Sequence, residues 1–247
     1  MICTYGPHPD QYAELQLPAG GGLGVAVVIH GGFWRAAYDA SLGRPLAADL
    51  VDRGWIAYNV EYRRVGNGGG WPTTLQDVAA AIDHLSQLDL DLSQVVALGH
   101  SAGGQLAAWA AGRPTLPPLA PGAAPLVTLT GVISQAGVLD LRTGAAQGVG
   151  GSAIPDLLGG GPDDVPERYA WADPIVRVPL PVPVVCIHGR DDDSVPLAQS
   201  EGYVAAAKEA GGVAELVESD GDHMAHVDPS STAWAAAVGA LTRFQKP

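Results

Sequence analysis

The run Val95-Val96-Ala97-Leu98-Gly99-His100-Ser101-Ala102-Gly103-Gly104 constrains this chain more than any other, because an apolar stretch passes through a G-x-S-x-G turn straight into a helix. Residues 95–98 read as a strand buried on both faces. Gln105-Leu106-Ala107-Ala108-Trp109-Ala110-Ala111 reads as a helix that ends at Gly112, ahead of Pro114. Passing from buried strand to helix in so few residues requires a sharp, strained turn, with small residues on either side so that the backbone segments pack closely. Such a turn projects its serine hydroxyl from the sheet edge. Ser101 is therefore the candidate nucleophile, and the alternative is a glycine-rich turn that serves folding alone.

A serine nucleophile needs a base and an acid that orients the base. After the apolar run Val184-Val185-Cys186-Ile187 the chain reads His188-Gly189-Arg190-Asp191-Asp192-Asp193-Ser194-Val195-Pro196, a strand end opening into a polar loop. Each of the adjacent aspartates is a candidate acid, and aspartate in such turns also serves to form loops or cap helices. Glu218-Ser219-Asp220-Gly221-Asp222-His223-Met224-Ala225-His226-Val227-Asp228-Pro229 follows a short strand and precedes the last helix, and it offers His223 and His226. A metal site made of His223, His226 and Asp228 lacks the spacing and intervening glutamate of zinc-binding helical histidine pairs, so no metal is expected. Upstream, Val25-Ala26-Val27-Val28-Ile29 runs into His30-Gly31-Gly32-Phe33-Trp34. Glycines there let backbone amides approach an oxygen that becomes negative in a tetrahedral intermediate.

In chain order, the H-G-G loop, the strand ending Val60-Glu61-Tyr62-Arg63-Arg64, the elbow, the acid loop and the histidine loop resemble the α/β-hydrolase family, in its short esterase and lipase branch. The resemblance covers nearly the whole chain. It implies an α/β fold with a mostly parallel central sheet and helices on both faces. The family pattern of His-Gly, two residues, Asp, two residues, Val-Pro selects Asp192 as the acid and leaves Asp191 and Asp193 as loop carboxylates. His223 is implied as the base, since it follows a glycine-containing turn at Gly221 and precedes the bulky Met224; His226 is its competitor. The oxyanion-hole amides implied are those of Gly32 and Phe33 with Ala102 from the elbow, and Gly31 is nearly equivalent. Tyr62-Arg63 with the later Pro72-Thr73-Thr74-Leu75-Gln76-Asp77 resembles the hormone-sensitive-lipase-like esterases, in which reading Asp77 braces Arg63.

The implied activity is cleavage of small carboxylic esters through an acyl-enzyme, without a cofactor. The H-G-G loop followed by an aromatic residue and Trp, and the segment 223–234, also resemble kynurenine formamidases, which makes N-formylkynurenine the alternative substrate. A hydrolase-fold binding module without catalysis is the remaining reading. Phe33, Trp34 and Trp71 are the candidate pocket walls.

A chain of 247 residues, 47% of them hydrophobic, fits one α/β domain. A formal net charge of −13 argues against nucleic acid and anionic membranes as partners and favours a small-molecule ester or amide. The two cysteines, Cys3 and Cys186, do not suggest a disulfide framework. The amino terminus lacks a basic start and a long apolar core, and no apolar run approaches spanning length, so the cytoplasm is the expected compartment. Oligomeric state is open. Strands are expected at residues 12–17, 55–62 and 126–134, and helices at 45–53 and from Pro72. Residues 138–183 show little periodicity beyond helical hints at 154–158 and 165–169, as expected of a loop-rich partial lid.

Overall fold

Strands buried on both faces must be covered on both, and the arrangement of helices follows from that requirement. The computed structural model describes residues 1–244. Its strands are β1 (Ile2–Thr4), β2 (Tyr12–Gln16), β3 (Val25–Ile29), β4 (Ile56–Val60), β5 (Val95–His100), β6 (Gly131–Gln135), β7 (Val184–Gly189) and β8 (Ala214–Ser219). Every residue of β3 to β7 is buried. They form one sheet in the order β1-β2-β4-β3-β5-β6-β7-β8. β1 pairs antiparallel with β2 and β2 antiparallel with β4, and all other pairings are parallel.

Alternation along β3 sorts its side chains between two cores. Val25, Val27 and Ile29 join the side covered by α2 (Thr73–His84), α3 (Ala102–Gly112) and α7 (Ala198–Glu209). Ala26 and Val28 join Leu46 and Leu50 of α1 (Arg44–Asp52) and Trp234, Ala237 and Leu241 of α8 (Thr232–Leu241). Each fully buried Val, Leu or Ile contributes roughly 1.5–3 kcal/mol relative to exposure.

β3 lies at the point where the strand order reverses, with β4 on one side and β5 on the other. Open parallel sheets present their ligand crevice beyond the carboxyl ends of the strands at such a point. Because Ile29 pairs with Gly99, the loop leaving β3 and the turn leaving β5 emerge side by side.

Two ion pairs brace α2 beneath that crevice. Arg63 Nη2 and Nε donate to Asp77 at 2.7 and 2.8 Å, as the sequence reading of Asp77 as a brace requires. Arg113, whose side chain is 2% exposed, donates to both carboxylate oxygens of Asp83 at 2.5 and 3.2 Å and to the Gly122 carbonyl. The expected strand at 126–134 begins only at Gly131, because the Leu126 and Val127 amides are taken by Asp83 Oδ1. Strand β1 was not anticipated.

The connection between β6 and β7 is more helical than its sequence suggests. It contains α4 (Leu141–Gln147), α5 (Ala153–Leu158) and α6 (Pro166–Ala172). The Asp140 side chain caps α4 by accepting from the Thr143 amide, and Gly148 ends it at φ 72°. An internal Gly144 and few apolar residues conceal that helix from periodicity. The segment is tied down by Gln105 Nε2 donating to the Ala172 carbonyl and Trp109 Nε1 to that of Trp171. Among the described residues, no helix is long and apolar enough to cross a membrane.

Candidate active site

The turn after β5 is built for close approach. A Cβ on Gly99 would lie 2.1 Å from the Gly103 carbonyl oxygen, and one on Gly103 would lie 2.0 Å from that of Ile29. Glycine at both positions lets α3 start directly on the sheet edge. Between them Ser101 is forced to φ 56° and ψ −119°, a conformation that costs a non-glycine residue on the order of 1–3 kcal/mol. Its amide donates to the Gln135 carbonyl at 2.8 Å, which fixes the turn against β6. Ala102, as the first residue of α3, has an amide without an acceptor inside the helix.

The loops after β7 and β8 are packed against each other so tightly that a Cβ on Gly189 would meet the Gly221 carbonyl oxygen at 2.3 Å. This brings Asp192 beneath His223. Asp192 Oδ2 accepts from His223 Nδ1 at 2.8 Å and lies 3.3 Å from His188 Nε2. Its Oδ1 accepts from the Ser194 and Val195 amides at 2.9 and 2.8 Å. Burial opposes ionisation of Asp192, but the hydrogen bonds from His188, His223 and Val195 outweigh it and hold the carboxyl far below the usual carboxylate range. Asp193 accepts from the Ser194 hydroxyl, and the Asp191 amide bonds the Gly221 carbonyl, so both flanking aspartates shape the loop.

His223 is held from behind as well. Asp222 caps its 3-10 turn by accepting from the Met224 and Ala225 amides. His100, the residue before Ser101, donates from Nε2 to the His223 carbonyl at 2.9 Å. Burial, and the neighbouring His223 and His226, push His100 well below the usual imidazole range, so its ring is neutral and its one N–H faces that carbonyl. His226 is fully buried behind His223, with burial as the main cause pushing it down to about 4, and it lies outside the cleft.

Ser101 and His223 open into one cleft of about 130 Å3, walled by Gly32, Phe33, Tyr38, Leu42 and Met224. A second hollow of about 490 Å3 adjoins it, between residues 147–150 of the β6–β7 connection and residues 192–194 of the acid loop. Phe33 and Ser194 line both.

The loop after β3 wraps the other side of Ser101. A Cβ on Gly31 would lie 2.8 Å from the His100 carbonyl oxygen and 3.0 Å from Ser101 Cβ. Gly32 has φ 108°, and Phe33 and Trp34 have φ 52° and 54°. Sequence reasoning also placed Trp34 and Trp71 in the pocket wall. The structure puts them elsewhere. Trp34 is fully buried and donates from Nε1 to Gln105 Oε1 at 3.0 Å, and Trp71 packs against Trp171 with ring centres 6.2 Å apart. His188, His100, Tyr38 and Leu42 were not anticipated; the positions of His188 in His-Gly-x-x-Asp and of His100 in G-H-S-A-G were the only signals for the first two.

Residues 14–206 match the BD-FAE family. The chain is 28% identical over 208 residues to the probable carboxylic ester hydrolase LipM of Mycobacterium tuberculosis, which covers 80% of this chain and 48% of LipM. It is 29% identical over 212 residues to the esterase LipQ of the same organism, covering 82% of this chain and 50% of LipQ. The chain thus spans about half the length of these curated relatives. Among solved structures, a truncated carbohydrate esterase from gut microbiota superposes with a TM-score of 0.81 at 21% identity, covering 99% of this chain and 95% of that one. Butyrate-bound esterase Est2 of Thermogutta terrifontis superposes with a TM-score of 0.78 at 22% identity, covering 99% and 92%. With its strand order, its strained serine elbow and a family match across most of its length, this chain belongs to the BD-FAE family of α/β-hydrolases.

Proposed function

We propose that the protein is a serine hydrolase of small carboxylic esters, with Ser101 as nucleophile, His223 as general base and Asp192 as the acid that orients it. The observation that carries this reading is the shared cleft of Ser101 and His223, with His223 Nδ1 held by Asp192 at 2.8 Å. That bond commits the Nδ1 hydrogen to Asp192 and leaves Nε2 free to take the Ser101 proton. Ser101 Oγ then bonds to the acyl carbon and the carbonyl pair moves onto oxygen. Collapse of the tetrahedral intermediate expels the alcohol, which takes the proton from His223, and water releases the acid from the acyl-enzyme by the same steps. The amides of Gly32, Phe33 and Ala102, with Gly31 at their side, form the oxyanion hole in this reading.

The family match, the esterase names of LipM and LipQ, and the fold shared with Est2, solved with butyrate, support an ester as substrate. The cleft holds the acyl group in this reading, and the adjoining hollow under the partial cover of residues 138–183 receives the alcohol. The test is Ser101→Ala. Its turnover of p-nitrophenyl acetate is expected to fall by about 10⁴-fold or more with an unchanged melting profile, while a fluorophosphonate labels the wild type at Ser101 alone. Wild-type hydrolysis by the variant would overturn the assignment.

A further inference from the structure

Glu61, at the end of β4, is a charged side chain almost entirely withdrawn from water, with a relative exposure of 2%. Both of its oxygens accept from donors. Oε2 accepts from the Ala40 amide at 2.8 Å, and Oε1 accepts from the Tyr62 amide at 2.7 Å and from Arg64 Nη1. His30 Nε2 lies 3.2 Å from the same Oε1. Burial works against its charge, yet His30, the Ala40 amide and Arg64 together hold the carboxyl below its ordinary range. This buried anion sits at the end of β4, with only β3 between that strand and β5, which leads into Ser101.

The other nitrogen of His30 faces the backbone. Nδ1 lies 2.7 Å from the carbonyl oxygen of Gly31, an acceptor, so Nδ1 carries a hydrogen and donates it. The ring is held by Gly31 at Nδ1, and its Nε2 faces both Glu61 Oε1 and, at 3.4 Å, Arg64 Nη1, which itself donates to Glu61; the ring also stacks on Tyr62 at 4.4 Å between ring centres with 15° between planes. Tyr62 Oη in turn donates to the His30 carbonyl at 2.8 Å, and the Arg35 amide donates to the Gly32 carbonyl at 3.0 Å. Three consecutive carbonyls, those of His30, Gly31 and Gly32, are thereby each bound. In a trans peptide the C=O and the following N–H point in opposite directions. Holding the Gly31 and Gly32 carbonyls therefore aims the Gly32 and Phe33 amides the other way, and Gly32 and Phe33 both line the Ser101 cleft.

We propose that Glu61 is a positioning residue that orients the oxyanion-hole amides through His30 and the Gly31–Gly32 peptide. This rests on reading the loop after β3 as an oxyanion hole for Ser101. The device supplies what the local backbone lacks, since Gly32, Phe33 and Trp34 all sit at positive φ and would relax without an external hold.

The test is Glu61→Gln. An amide places an N–H donor where the carboxylate now accepts only, so it cannot satisfy the same set of donors. Complete loss of one oxyanion donor costs about 10²–10³-fold in kcat, so a misaimed donor is expected to lower kcat on p-nitrophenyl acetate by about 10–100-fold with KM nearly unchanged. A trifluoromethyl ketone adds Ser101 Oγ to its carbonyl carbon, places the resulting oxyanion in the hole and passes the serine proton to His223. Its inhibition constant is expected to rise by the same factor as kcat/KM falls. Tyr62→Phe removes only the hydroxyl on the His30 carbonyl, keeps the stacked ring, and is expected to shift both quantities together by a smaller factor; it carries the test if Glu61→Gln does not fold. A lowered Tm with unchanged kcat and inhibition constant, or a loss confined to KM, would overturn the proposal. Ser101→Ala run beside them separates the two readings: if it stays active the esterase reading itself fails, and if it is inactive while the other variants retain full kcat only the positioning role fails.

Discussion

Replacing Asp192 by asparagine isolates what the carboxylate does. It now receives the Ser194 and Val195 amides on Oδ1 and faces His223 Nδ1 and His188 Nε2 on Oδ2. Asparagine has one acceptor oxygen, which stays with the two amides, and its NH2 group is turned toward the two ring nitrogens. His188 Nε2 already donates to the Val195 carbonyl at 2.9 Å and keeps its hydrogen. His223 therefore has to switch tautomer, accepting at Nδ1 and carrying its hydrogen on Nε2, where it cannot take the Ser101 proton. A loss of about 10⁴ in kcat is expected, equivalent to about 5.4 kcal/mol of barrier at 1.36 kcal/mol per tenfold. Lost charged hydrogen bonds at a buried site add about 2–4 kcal/mol of destabilisation. For a chain of this size that lowers Tm by roughly 4–16 °C. The sign with pH follows from the depressed carboxyl. Its contribution is complete above the unfolded value of about 3.9 and is lost as pH falls below it, so the Tm gap between wild type and variant is widest near neutrality and closes in acid. Esterase kinetics and thermal melts on Asp191→Asn, Asp192→Asn and Asp193→Asn decide the matter. Activity of Asp192→Asn within about tenfold of wild type, or a larger loss at either neighbour, would refute the reasoning.

Across p-nitrophenyl esters from two to twelve carbons, kcat/KM is expected to peak at short acyl chains, because a cleft of about 130 Å3 gives no wall to later methylenes that would each contribute about 0.8 kcal/mol. Met224→Ala, which opens the rim, is expected to move that peak toward longer chains. N-formylkynurenine, measured alongside, is expected to give a kcat/KM below the best ester; a value far above every ester would replace esterase by formamidase activity. Arg113→Ala leaves the Asp83 carboxylate half-buried without its guanidinium and is expected to cost about 3–5 kcal/mol by chemical denaturation, with kcat of the folded protein unaltered, since the pair lies outside the cleft.

The sheet and its serine turn were legible because their signals are local: uninterrupted apolar runs for β3, β5 and β7, and glycines at 99 and 103 that leave no room for a side chain. Asp192 was separable from its neighbours only by resemblance, as adjacent aspartates in a loop have no periodicity to tell them apart. What stayed hidden depends on contacts distant in sequence. Trp34 and Trp71 follow and precede functional loops, but nothing local says that one is drawn into the core by Gln105 and the other onto Trp171. Helix α4 is defined by its caps rather than by an apolar stripe. Glu61 and His30, 31 positions apart, meet only because β3 and β4 are neighbours.

The connections leaving β3, β5, β7 and β8 each deliver a group to the Ser101 cleft, whereas the long one leaving β6 delivers only the wall of the adjoining hollow. It is fastened by Arg35 to Ser152 and Asp156, the Trp71 amide to the Leu157 carbonyl, Gln105 and Trp109 to the Ala172 and Trp171 carbonyls, and by burial of Leu141, Ile154, Leu157 and Tyr169 in the core that α3 covers. On the proposed reading, bond-making chemistry and the surface that meets the departing alcohol are thus carried by different stretches of chain. On that reading, changes at residues 147–150, which line the hollow, retune which alcohols are accommodated while the strands that space Ser101, His223 and Asp192 are left untouched, so the fold diversifies at one address without renegotiating its reaction.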